Sequence, residues 1–270
     1  MHNASKDLHK ADAIINVLGG YNMSTEMDKT FVKEYKCPVC EKNFKTRMVR
    51  AGKVKNLGTD EDLRPRFENI DVVKYEALMC NNCGYASLLK TFDNLSPTMR
   101  KLIREGVCKN FVKRPENTNI PSYDDAIDKY KLALLNSIVK RSKVSEQAYA
   151  CLKIAWLYRG KCENLPLTST DYIVCKEECE RLEKEYIGKA YSGFNKALSE
   201  EHFPICGMDE GTVLYILAVL ARKCEDYTGA RQLIGQILFN RNISAKIKEK
   251  ARDLKEILEY DLKGAEDCYA

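Results

Sequence analysis

No stretch of this 270-residue chain is apolar for the roughly 18–20 consecutive positions that a membrane-crossing helix needs. The first residues, Met1-His2-Asn3-Ala4-Ser5-Lys6-Asp7, lack the basic-then-apolar layout of a secretory signal, so a reducing cytoplasm is the expected compartment. Catalytic signatures are missing as well: there is no G-x-G-x-x-G, P-loop, H-E-x-x-H or G-x-S-x-G. Histidine is scarce, with three in all, and only His202 falls in the C-terminal half. An enzyme is therefore not the expected class. With 44% apolar and 31% charged residues, the composition is that of an ordinary globular protein.

Cysteine, by contrast, is plentiful. Twelve cysteines would suggest a disulfide scaffold in a short secreted chain, but this chain is long and shows no export signal. Four of them form two tight pairs, Cys37-Pro38-Val39-Cys40 and Cys80-Asn81-Asn82-Cys83-Gly84-Tyr85. A C-x-x-C turn sets two sulfurs on one side of a loop, and two such turns can enclose a tetrahedral Zn²⁺. Pro38 stiffens the first turn, and Gly84 permits close backbone approach to the sulfurs. The expectation is one structural Zn²⁺ per chain, in a site of zinc-ribbon type held by Cys37, Cys40, Cys80 and Cys83. Between Cys40 and Cys80 lie 39 residues, against roughly 15–20 in the usual pattern, so the ribbon carries an insertion. The competing readings are ordinary buried thiols or a redox C-x-x-C, which usually opens a helix after a strand. Here each pair instead follows a strand-like run, Phe31–Tyr35 or Val72–Leu78. The eight other cysteines lie singly in helical patterns and read as small apolar residues. Cys175 and Cys179 would share a helix face without further ligands.

Charge divides the chain. Residues 1–114 hold 21 Lys and Arg against 14 Asp and Glu, a net +7, and the remainder holds 23 against 25, a net −2. Lys42, Lys45, Arg47, Arg50, Lys53 and Lys55 make a basic arm between the cysteine pairs, either a phosphate-contacting surface or the solvated face of a strand. Within it, Phe44–Arg50 alternates as a half-exposed strand does, and 58–67 reads as a polar, proline-bearing loop.

The expected segments are an N-terminal helix or extension over 1–30, a zinc-ribbon-like module with a trailing helix over 31–114, and a helical domain over 115–270. Ser5 can cap a short helix through Leu8 and Ile14 that stops at Gly19-Gly20, with His2 and His9 as frayed or surface residues. Ser96-Pro97 starts a helix that ends near Gly106. Beyond Ser122 all patterns are helical. Tyr123, Ala126, Tyr130 and Ala133 stand at offsets of three, four and three. Tyr227, Ala230, Ile234 and Ile237 repeat these offsets, and so do Ile187, Ala190, Phe194 and Ala197. This spacing is similar to the second helix of a tetratricopeptide (TPR) repeat, although the copies keep no clean period. The expected partner helices are 146–158 and 212–223, with a long helix over 171–199 and a terminal one over 244–262. The fold class is thus α+β, mostly α: a small β-rich zinc-ribbon-like module followed by a TPR-like antiparallel helical array.

Several motifs together resemble the bacterial family called domain of unknown function 2225. They are Cys37-Pro38-Val39-Cys40 with Phe44 and a basic strand, Asp62-Leu63-Arg64-Pro65, Cys80–Ala86, and Leu152-Lys153-Ile154-Ala155-Trp156-Leu157-Tyr158-Arg159. The resemblance spans 35–262 and carries metal ligation to the four paired cysteines alone. One departure is Glu41, where such a knuckle normally has glycine. The family has no assigned activity, so the resemblance implies an architecture and leaves function open.

The leading functional expectation is an interaction protein whose helical groove binds a protein or peptide, lined near Tyr149, Trp156, Tyr215 and Arg222. These residues can equally pack the core. The alternatives are a nucleic-acid binder using the basic arm and a thiol redox sensor.

Overall fold

The computed structural model of the chain describes residues 25–168 and 170–267, with side chains through 262. The helix expected from Ser5, with His2 and His9, lies outside the described residues. The fold is α+β and mostly α.

Thr30–Lys36 (β1) pairs with Asn43–Val49 (β2), which alternates at period two, in an antiparallel hairpin with Lys36 opposite Asn43 and Thr30 opposite Val49. Phe44 and Met48 point inward while Lys45 stays exposed, as the pleat requires. Ala77–Met79 (β5) and Ala86–Leu88 (β6) make a shorter hairpin. Between them, the stretch expected as a polar loop is partly ordered as a hairpin of Asn56–Thr59 (β3) with Pro65–Phe67 (β4). Its turn closes through Asp60 N–H donating to Arg64 O at 2.8 Å, with Leu63 in the left-handed region at φ 64°. The strand expected over 72–78 is also corrected. Val72–Tyr75 is a 3₁₀ turn because the Asp71 carboxylate accepts from Val73 N–H at 3.1 Å, and only Ala77 onward is extended.

Ser96 caps helix α1 (Pro97–Gly106) by accepting from Met99 N–H, with Pro97 at the first helical position. Ser122 and Asp125 form a reciprocal capping box that starts α2 (Tyr123–Val139). The remaining helices are α3 (Val144–Glu163), α4 (Tyr172–Glu200), α5 (Glu210–Lys223), α6 (Tyr227–Phe239) and α7 (Ala245–Asp267). The 3-4-3 stripes are the buried faces of α2, α4 and α6: Ala126, Tyr130, Ala133, Ile187, Ala190, Phe194, Ala197, Ala230, Ile234 and Ile237 are all in the core. Helices α3 and α4 run antiparallel, since Ser145 meets Glu201 at one end and Arg159 meets Glu183 at the other.

Contacts run across the segment at 115–121 between the N-terminal module and the helices. Val73 and Ala77 belong to the same apolar cluster as the helices. The Tyr130 hydroxyl donates to Val73 O at 2.9 Å, and Asn136 Nδ2 donates to Gly84 O at 3.0 Å. Asp62, fully buried, receives both Nη1 and Nη2 of Arg159 at 3.0 and 2.5 Å. Burial pushes the Asp62 carboxyl up, but the Arg159 guanidinium outweighs it and holds the group below the usual carboxylate range. Beside this pair the buried Arg64 binds Asp71 at 2.6 Å. Gly160 makes room for it, since a Cβ there would sit 2.5 Å from Arg64 Nη2.

A fragment beginning at Ile120 would strip these partners from α2 and α3 and open to water the apolar and charged faces they cover. That fragment is expected to lose the cooperative thermal transition of the full chain. A transition as sharp as the full chain's would show that the helices hold a core of their own.

Candidate metal centre

The two cysteine pairs occupy the tips of the β1–β2 and β5–β6 hairpins, in loops of the same construction. Cys37 N–H donates to Lys42 O at 3.0 Å and Glu41 N–H to Cys37 O at 2.9 Å. In the second loop Cys80 N–H donates to Tyr85 O at 2.8 Å and Gly84 N–H to Cys80 O at 2.9 Å. This pattern needs a left-handed residue after each second cysteine, and Glu41 (φ 62°) and Gly84 (φ 75°) supply it. The departure at Glu41 therefore keeps the knuckle geometry and carries a backbone strain that glycine would not.

Facing each other, the two loops bring Cys37, Cys40, Cys80 and Cys83 together with all four sulfurs within 4.8 Å of one another. Cys37 Sγ lies 3.7 Å from Cys83 Sγ, and Cys40 Sγ lies 3.6 Å from Cys80 Sγ. A tetrahedral ion with metal–sulfur bonds of about 2.3 Å would set its sulfurs roughly 3.8 Å apart, so the donor set fits such an ion. Among the described residues this is the one group of three or more Cys, His, Asp and Glu placed to hold a metal.

Four thiols this close cannot ionise independently. Hydrogen bonds from Cys37 and Cys83 hold the Cys80 thiol down at about 2. The hydrogen bond to Cys80, together with burial, pushes Cys37 up to about 12, and bonding to Cys37 and Cys80 pushes Cys83 up as well. A bound cation removes this conflict by stabilising every thiolate, with release of their protons.

The surroundings brace the cage. Val39 N–H donates to Cys37 Sγ at 3.4 Å. Arg104 of α1 clamps the first loop through Nε and Nη2 on Val39 O, at 3.2 and 2.8 Å, and its charge opposes the excess negative charge of four thiolates around a divalent ion. Phe111 covers Gly84, and Asn81 exchanges hydrogen bonds with Arg114 at 2.9 and 3.2 Å. Tyr35, Phe44, Tyr85 and Phe92 pack behind the loops with ring centroids 4.9–6.3 Å apart. Cys108, expected as an idle thiol, packs against the cluster that holds the cage cysteines, and burial raises its pKa. No spacing rule in the sequence marks it, because it reaches the site through the turn after α1.

The other expected site residues do not assemble. Trp156 and Tyr215 are buried in the helical core, which corrects their placement on an open groove: each lies on the face its helix turns toward its neighbours. Arg222 is engaged by Glu61 at 2.6 Å and Asp261 at 2.8 Å. Tyr149 remains half-buried. In the basic arm, Arg47 donates to Thr118 O and Thr30 Oγ1 at 2.9 and 3.0 Å. Arg50 donates to Thr30 O at 3.1 Å and stands over Phe31, while Lys55 pairs with Glu68. Lys42, Lys45 and Lys53 are exposed. No described helix is long and apolar enough to cross a membrane.

Fold and site together define a mostly helical protein with a four-cysteine cage able to hold a metal ion. More particularly, the chain belongs to a bacterial family: residues 30–258 match the one described as "Uncharacterized protein conserved in bacteria (DUF2225)". No curated protein and no solved structure matches it.

The two knuckles should respond oppositely to exchange of their left-handed residues. Glu41→Gly is expected to raise the stability of the metal-loaded chain by about 1 kcal/mol, through relief of left-handed strain. Gly84→Ala should destabilise it by more than that, because its Cβ would fall 2.4 Å from Phe111 Cδ2. Chemical denaturation of the two variants measures both, and a destabilised Glu41→Gly would contradict the shared geometry.

Proposed function

We propose that this chain is a cytoplasmic, zinc-stabilised interaction protein, in which Zn²⁺ fixes the N-terminal module and the TPR-like helical array holds a segment of a protein partner. The ion's role is structural, since four thiolates complete a tetrahedral shell and leave no position for a substrate or an activated water. A tetrahedral all-sulfur donor set selects zinc or iron among common metals, and two facing C-x-x-C loops suit a single zinc.

One observation carries the partner reading. Lys131, Leu135 and Ile138 line one side of α2 at offsets of four and three, and Leu135 and Ile138 are 47% and 53% exposed. An amphipathic helix normally turns such a stripe inward. Lys131 stands 5.4 Å over the Tyr158 ring of α3, which stacks on Tyr186 of α4 at 5.9 Å, and Lys189 lies 4.6 Å over Tyr186. Apolar side chains in line with Lys131 suit a segment bearing apolar and acidic residues, while Lys189 is already paired with Glu185 at 2.5 Å. The basic arm is a weaker candidate for nucleic acid, because Arg47, Arg50 and Lys55 already have protein partners.

The full chain, recovered from its native cell after nuclease treatment, is expected to carry a protein that Leu135→Asp with Ile138→Asp releases. Mixed single- and double-stranded nucleic acids should bind no tighter than micromolar at about 0.15 M salt. Submicromolar binding that vanishes when Lys42, Lys45 and Lys53 are changed to Glu would replace the protein partner with a nucleic acid.

A further inference from the structure

A cavity of about 440 Å³ opens where the β5–β6 hairpin meets α2, α3 and the turn at 206–207. Its size falls within the roughly 300–1,000 Å³ of small-molecule pockets. Leu88, Ala133 and Ala150 give it an apolar wall, with Tyr149 beside them. Its charges are unbalanced: Lys90, Lys140, Lys143 and Lys153 line it against only Glu76 and Glu146.

Two of the lysines are deeply buried, Lys140 and Lys153 at 4% exposure each. They differ in how their charge is met. Lys153 is satisfied by an ion pair with Glu76, and its ammonium stands 4.8 Å from the Trp156 ring and 5.0 Å from the Tyr149 ring. Lys140 is not matched in this way. Its Nζ lies 3.7 Å from Glu146 Oε2, beyond hydrogen-bond distance, so the pair leaves ammonium donors for another acceptor. An ammonium with open donors at the end of an otherwise enclosed side chain, set in an apolar wall, favours an anion that accepts from it. The N-terminus of α3, at the same edge, is already taken, since Ser145 N–H and Oγ donate to Glu201 at 2.9 and 2.7 Å. The anion-seeking group in this cavity is therefore the side chain of Lys140. Lys90 and Lys143, both exposed, add positive charge at the mouth.

We infer that this cavity binds a small molecule with an apolar body and one anionic head, a carboxylate or a phosphate. The head pairs with Lys140, and the body lies along Leu88, Ala133, Ala150 and Tyr149. The site is separate from the sulfur cage and from the exposed stripe of α2, and it does not rest on either reading.

The chain provides its own reporter, because Trp156 is its single tryptophan and packs against Lys153 of the cavity wall. The full chain would be titrated with decanoate, decyl phosphate, decanol and inorganic phosphate, following Trp156 fluorescence and the melting temperature. At least one of the two anionic amphiphiles is expected to bind saturably and to raise the melting temperature, at least about tenfold tighter than decanol or inorganic phosphate. Whichever of decanoate and decyl phosphate binds more tightly identifies the head group. Lys140→Met should lose about tenfold in affinity for that probe and leave decanol unchanged. Decanol binding as tightly as the anions would overturn the inference, as would no saturable binding of either anion below about 1 mM. A folded Lys140→Met chain with unchanged affinity would do the same, and the melting-temperature comparison on the unaltered chain decides the matter if that variant does not fold.

Discussion

Four sulfurs held within 4.8 Å of one another, three of them from buried cysteines, set the terms for the N-terminal half. As thiolates they repel, and as thiols they compete for too few acceptors. A cation would let all four face inward at the spacing the backbone imposes. The hairpins that carry them are weak alone, since β5 and β6 have three residues each and isolated two-stranded hairpins are marginal in water. Structural zinc sites contribute roughly 10–16 kcal/mol in small modules, enough to decide whether such hairpins persist. The cluster behind the cage, from Phe44 to Val107, collects residues of both hairpins and of α1, so the cage and this core position each other.

A second set of charges links this module to the helices. Asp62 and Arg64 extend from the β3–β4 turn toward Arg159 and Glu163 at the end of α3, and Arg159 also reaches Glu183 of α4 at 2.8 Å. Burying these groups is costly unless every partner is present, so the lattice sets orientation more than it adds stability. Glu61 extends the link to Arg222 of α5. The insertion between the cysteine pairs thereby connects the N-terminal module to α3 and α5. The cavity beside Lys140 lies along the same seam.

Much of this architecture was legible in the chain. The C-x-x-C pairs located both knuckles, the alternation around Phe44 located β2, and the 3-4-3 offsets located the buried faces of α2, α4 and α6. Ser96-Pro97 and Ser122 marked helix starts through capping chemistry that needs no tertiary context. What stayed hidden depends on long-range partners. Asp62-Leu63-Arg64-Pro65 and Trp156–Arg159 were visible as motifs, but the ion pair joining them spans 97 positions. Val72–Tyr75 has β-branched residues yet turns, because the Asp71 side chain captures its backbone. Trp156 and Tyr215 fit a groove or a core equally by spacing, and neighbours on both sides of their helices decided for the core. Cys108 became visible as a cage neighbour only once α1 was folded against the knuckles.

The central claim is a single ion in an all-sulfur cage. X-ray absorption at the zinc edge of protein purified under reducing conditions tests it most directly. One zinc per chain with a shell of four sulfurs at about 2.3 Å is the expected spectrum. A shell containing nitrogen or oxygen, or a folded chain that carries no metal, would contradict the account.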